Sequence, residues 1–199
     1  MRKLTIGVVT VTALLALSCG EEEGITRPPP PSLNLPADVI DGVELSFNQK
    51  NIDLLKKCLS PDFIFHFDPD DVGQNPPGSS YVIPTSWSYT EFWVVARNLF
   101  GRAYSISLHI PASQIGTPDP GQNIYRAEDV SLSLLVMVDE YNGFIAESGY
   151  CNFAFETYFN EQEEKRWRLT GWWDFTSAYA DQMPSLVPTS LGTILAMYK

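Results

Sequence analysis

The chain has 199 residues, 44% of them hydrophobic and 13% aromatic, with 13 Lys and Arg against 24 Asp and Glu. That is enough apolar material for one ordinary globular core, so disorder throughout is excluded. A net charge of -11 also argues against a nucleic-acid partner, because binding a phosphate backbone needs a concentrated Lys/Arg surface that releases counterions.

Residues 1–18 read as an address. Arg2 and Lys3 give a positive start, and Leu4 to Leu17 is an uncharged apolar run of 14 residues, the length of a secretory signal's central region and short for a membrane span. Leu15 to Cys19 (LALSC) resembles the lipobox of bacterial lipoproteins, which implies cleavage before Cys19 and attachment of a diacylglycerol to its thiol. Removing residues 1–18 leaves 11 Lys and Arg against 24 Asp and Glu, a net charge of -13 on 181 residues. So acidic a body is not drawn to anionic headgroups, and membrane attachment rests on the acyl chains, at about 0.8 kcal/mol per buried methylene. Gly20 after the cysteine is the residue that, in lipoproteins of enterobacterial type, favours the outer membrane. The resemblance thus implies an exported protein anchored to the cell envelope by its N-terminal lipid.

Residues 19–36 form a tether, with Glu21, Glu22 and Glu23 followed by Pro28 to Pro31, a composition that favours extended polyproline conformation and builds no core. A domain over 37–182 follows, and a tail over 183–199 whose apolar stretch, Leu191 to Met197, is expected to pack back as a short helix.

Within the domain, Val39, Val43 and Phe47 recur on one helical face, predicting a helix over about 37–49. Asn51 caps a second, with Ile52, Leu55 and Leu59 as its stripe and Pro61 as its stop. Phe63, Phe65 and Phe67 then alternate with Ile64, His66 and Asp68 as a strand does. A Pro, Gly and Ser-rich loop over 69–88 carries a brief strand at 81–83, and Ser88 or Thr90 caps a third helix running to Phe100 with Gly101 as its stop. Everything beyond reads as strand: 104–110, 130–138, a turn at Glu140 to Gly143, then a strand with Cys151, Phe153 and Phe155 in phase. In the last strand Trp167, Leu169, Gly171, Trp173 and Phe175 form the alternate set. Several strands are apolar on both faces, which calls for helices on one side and further chain or a second subunit on the other.

This order, with FNQKNIDLLKKCLSPDFIFHFDP at 47–69 and RWRLTGWWDFT at 166–176, resembles the nuclear transport factor 2-like (SnoaL-like, cystatin-like) superfamily. The resemblance covers about residues 37–178. It implies an α+β fold in which a cone-shaped curved antiparallel sheet wraps around about three N-terminal helices, with a pocket at the wide end. The family includes isomerases, dehydratases and cyclases, and equally proteins that only bind ligands or partners.

In ketosteroid-isomerase-like members an aspartate at the end of the first strand abstracts a proton, and Asp68 stands at a comparable station. The tyrosine that serves as their oxyanion donor aligns here with about Val43, which has no donor. His66 shares a strand face with Asp68, with Cβ atoms about 7 Å apart, and His–Asp pairs serve related dehydratases and cyclases. The alternatives are a turn cap for Asp68 and a partly buried, hydrogen-bonded histidine for His66. Trp93, Tyr104 and Trp172 are the candidates for lining a pocket for a small apolar ligand, against the commoner use of such rings as core. Cys58 and Cys151 both point inward and are either a disulfide or two buried thiols. Neither the two histidines nor Asp68, Asp70 and Asp71 have metal-ligand spacing, and phosphate-loop, dinucleotide and Gly-x-Ser-x-Gly motifs are absent, so no metal or cofactor is expected.

The sequence therefore supports a lipid-anchored envelope protein that binds a small apolar ligand or a partner without catalysis. An enzyme using Asp68 and His66, and a purely structural or assembly lipoprotein, are the alternatives. A homodimer through the sheet face is a further expectation.

Overall fold

The first helix, α1 (Pro36–Asn48), opens on a proline whose missing donor costs nothing at a helix start. Asp38 accepts hydrogen bonds from the Asn34 and Leu35 backbone N–H groups and the Ser32 hydroxyl, fixing the entry of the chain. The structure is a computed structural model that describes residues 31–177 and 185–199; the signal segment, Cys19 and most of the tether lie outside the described residues.

Helix α2 (Ile52–Cys58) is capped by the Asn51 side chain, which accepts from Leu54 N–H at 3.0 Å. Strand β1 (Leu59–His66) begins directly at the helix end, earlier than the alternation alone indicates. After the loop comes β2 (Ser86–Ser88), displaced from the expected 81–83, and then α3 (Tyr89–Arg102). Ser88 is the α3 cap: its N–H and hydroxyl both donate to Glu91 at 3.0 Å, and the helix runs past Gly101 to Arg102. The predicted 130–138 strand is two strands, β4 (Ile124–Ser131) and β5 (Ser133–Met137), which belong to different sheets. β3 (Ser105–His109), β6 (Gly143–Ala146), β7 (Ser148–Phe159), β8 (Lys165–Ser177), β9 (Leu186–Pro188) and α4 (Leu191–Ala196) complete the fold.

The architecture is α+β, with two curved sheets ordered β2-β1-β8-β7-β4 and β3-β5-β6-β9. Both are mixed. β1 lies parallel to β8 and β6 parallel to β9, and the remaining pairings are antiparallel.

One face of the larger sheet packs against the helices. Phe63 and Phe65 of β1 and Phe67 just beyond it form a ring cluster with Trp87, Phe92 of α3 and Trp172 of β8, which in turn meets Phe153 of β7, with ring centroids 4.5 to 6.2 Å apart in mostly tilted or edge-on pairs. Such pairs add about 0.5–1.5 kcal/mol beyond the area they bury. The α1 helix is tied to β3 by side chains as well as packing. Asn48 binds both backbone groups of Leu108, and Glu44 accepts from Ile110 N–H at 2.8 Å.

Candidate functional site

The phase of β8 decides which residues face the interior. Trp167 and Leu169 are buried, but one extra residue around Thr170 interrupts the pairing, since Phe155 opposes Leu169 while Ala154 opposes Gly171. A bulge of this kind transfers the following side chains to the opposite face. Beyond it Trp172, Asp174 and Thr176 point inward, and Trp173 and Phe175 outward. The unbroken alternate set read from the sequence is therefore corrected at Gly171.

The inward turn brings a carboxylate into the core. Asp174 is wholly buried; its Oδ1 accepts from Thr176 N–H and hydroxyl at 2.9 and 2.7 Å, and its Oδ2 from Gly192 N–H at 2.7 Å. Desolvation outweighs these three donors and pushes the carboxyl up to about 7, with the Asp71 charge adding in the same direction. The Thr176 oxygen also accepts from Leu191 N–H at 2.7 Å. The Ser190 hydroxyl donates to Asp71 at 2.5 Å while accepting from Thr193 N–H. Asp71 is itself raised, by burial first and by its neighbours Asp68 and Asp70. Two carboxyl groups and three hydroxyl-bearing residues thus hold the start of α4 in place. Gly192 is required there, because a Cβ would stand 2.6 Å from Phe67 and 3.0 Å from Asp174. Cys151, opposite Asp174 in the β7–β8 register, is buried, and burial followed by the Asp174 charge holds its thiol far above the usual range. Trp172 Nε1 is buried without a full hydrogen bond and faces only the soft Cys151 sulfur. Chemically the cluster can hold a proton at Asp174 near neutral pH, behind α4 and out of contact with solvent.

The residues singled out from sequence lie elsewhere. His66 is on the outer face, stacked flat on Trp173 with centroids 4.7 Å apart, and desolvation lowers its proton affinity. Arg126 lies over the Trp173 ring at 5.7 Å, and the Tyr150 and Phe175 rings stack nearby at 5.1 Å. Asp68 Oδ1 accepts from Asp70 N–H at 2.8 Å, a turn closure rather than a pairing with His66. The pocket candidates do not converge. Trp93 sits on α3 beneath Arg97, Tyr104 is 59% exposed, and Trp172 is sealed in the core, because the three belong to different layers. Cys58 and Cys151 are free thiols rather than a disulfide. Cys58 packs at α1 against Gly42, where burial lifts it to about 12, whereas Cys151 lies under α4 beside Asp174. Among the described residues no three His, Cys, Asp or Glu gather as a metal cage, and no helix is long and apolar enough to cross a membrane.

Asp174 was the buried acid most hidden in the sequence. Its only signal was a carboxylate inside the aromatic run WWDFT, and the bulge masked its direction.

No protein-family model and no curated protein matches the chain. Solved structures to which it is similar include the Kfla4162 protein from Kribbella flavida, at 13% identity over 80% of this chain and 93% of that one, TM-score 0.49. A nuclear transport factor 2-like superfamily protein from Salmonella enterica is similar at 13% identity over 74% and 91%, TM-score 0.44. An LEH-like epoxide hydrolase from M. tuberculosis is similar at 13% identity over 71% and 81%, TM-score 0.41.

Proposed function

We propose that the chain is a lipid-anchored cell-envelope protein whose α+β domain is a non-catalytic binding module, engaging a protein partner or a second copy of itself through the outer face of the five-stranded sheet. The observation that carries this reading is the filling of the interior. The inner sheet face is occupied by Phe65, Phe67, Trp87, Phe92 and Trp172 and closed by α4, while the outer face carries Ile64, Tyr150, Trp173 and Phe175 in or near solvent. The lipobox-like Leu15 to Cys19 supports the anchor.

Native mass spectrometry of the mature protein tests the binding surface. A dimer or partner complex is expected, lost on Trp173→Glu; a monomer carrying a stoichiometric phosphate-free adduct would overturn the reading. Metabolic labelling with palmitate tests the anchor: label is expected on the wild type and absent from Cys19→Ala.

A second reading is favoured by Asp174 alone. An enzyme of isomerase, dehydratase or cyclase type would use this proton-holding carboxyl once α4 moved aside, in place of Asp68 and His66. It predicts a co-purifying adduct in the interior beside Asp174, which the first reading excludes.

A further inference from the structure

Where α2 meets the β7–β8 ribbon, Lys56, Lys57, Leu59, Pro61, Tyr89, Tyr158 and Arg168 line a groove of about 380 Å³. The chain has 24 acids against 13 cations, yet three cations and no Asp or Glu line this groove. The concentration is invisible in the sequence, because Arg168 is more than a hundred residues from the lysine pair; the parallel docking of β1 on β8 brings them together.

The groove is also partly preorganised. Arg168 Nε donates to Glu156 Oε1 at 3.0 Å, the same oxygen accepts from the buried Ser60 at 2.9 Å, and the guanidinium lies 4.8 Å over the Tyr158 ring. Glu156 thus fixes the Arg168 head from one edge, and its Nη groups make no hydrogen bond among the described residues. Lys56 and Lys57 are exposed and form no ion pair among the described residues. Of the three cations only Arg168 has a carboxylate partner, and holding the two unpaired lysines beside it has an electrostatic cost that a bound anion reduces.

The geometry points to a binding site for a phosphate group in this groove, with Lys56, Lys57 and Arg168 supplying the charge and the Tyr89 and Tyr158 hydroxyls further hydrogen-bonding capacity. A compact tetrahedral anion can face several cations at once, and Leu59 and Pro61 offer an apolar floor for the carbon attached to it. The ligand class is a phosphate ester, supplied either by a soluble sugar phosphate or by a phospholipid headgroup. An adjoining groove shares Lys57 and Tyr158 and runs to Pro31, Ser32 and Leu33. This inference is independent of the proposed partner surface, which lies on the sheet's outer face around Trp173.

Titration calorimetry of the mature protein in nonionic detergent, with glucose 6-phosphate and inorganic phosphate against glucose, tests the site. Phosphate-bearing probes are expected to bind and glucose to give no heat. The Lys56→Ala/Lys57→Ala double variant is expected to weaken binding at least about tenfold, Arg97→Ala to leave it unchanged, and added salt to weaken it. Partition between phosphatidylglycerol and phosphatidylcholine vesicles reads the headgroup source, since the acyl anchor enters both alike. Preference for phosphatidylglycerol that the double variant loses identifies a headgroup; binding of the soluble ester alone identifies a small metabolite. Both lysines are exposed, so the double variant should melt as the wild type does. No discrimination between phosphate and neutral probes in either format, or equal binding by the double variant, overturns the proposal.

Discussion

Replacing Asp174 by Asn should reshape the pH dependence of stability. The folded carboxyl is lifted from 3.8 to about 7, so between these values the native state holds a proton that the unfolded chain has released. Stability from this source is fully present below about pH 4 and is lost as the pH climbs to about 7, a swing of about 4 kcal/mol. Asn cannot ionise and does not have the swing. Its oxygen can keep both Thr176 contacts, but its amide N–H₂ must confront the Gly192 N–H, a pH-independent cost of about 1–3 kcal/mol. The variant should therefore be the less stable protein at pH 4.5 and match or exceed the wild type at pH 8. Urea unfolding of both proteins at the two pH values measures this. Asp71 titrates in both and largely cancels. A gap between the proteins that stays constant within about 1 kcal/mol would refute the argument that burial, rather than the three donors, dominates at Asp174.

Gly192→Ala should cost about 1–3 kcal/mol and speed exchange of the α4 amides, because the new methyl must displace Phe67 or the Asp174 carboxylate. Cys58 and Cys151 should resist a maleimide in the native protein and react on unfolding, since both are buried with raised thiols; rapid native labelling of either would contradict their placement. Asp68→Asn should change stability by less than about 0.5 kcal/mol, because the amide oxygen can still close the turn to Asp70. His66 should titrate below the ordinary histidine range by NMR and rise toward it in Trp173→Ala, where the covering ring is gone; an unchanged titration would show that the stack does not shield it.

The legible parts of this fold are those governed by local periodicity. The α1 stripe, the Asn51 cap, the Phe63/Phe65/Phe67 alternation and a cap at Ser88 or Thr90 each rest on contacts within a few residues; the structure keeps the first three and decides the fourth for Ser88. The expected 81–83 strand is not formed: Ile83 pairs instead with Gly73 and Gln74 inside the loop, an exchange between residues about ten apart. The site was less legible. His66 and Asp68 share a strand phase, but that phase is the outer one, and Asp68 belongs to the turn that follows.

By itself the sequence determined the α+β class, the helices with the Asn51 cap, the acidic charge and the lipobox-like start, because each is written in neighbouring residues. Only the tertiary structure decided which face of β8 is inside, that Asp174 rather than Asp68 is the buried acid, and that Lys56, Lys57 and Arg168 share a groove. The physical reason is common to all three. A one-residue bulge reverses every later side chain, and a parallel pairing joins segments a hundred residues apart, and neither leaves a local pattern to read.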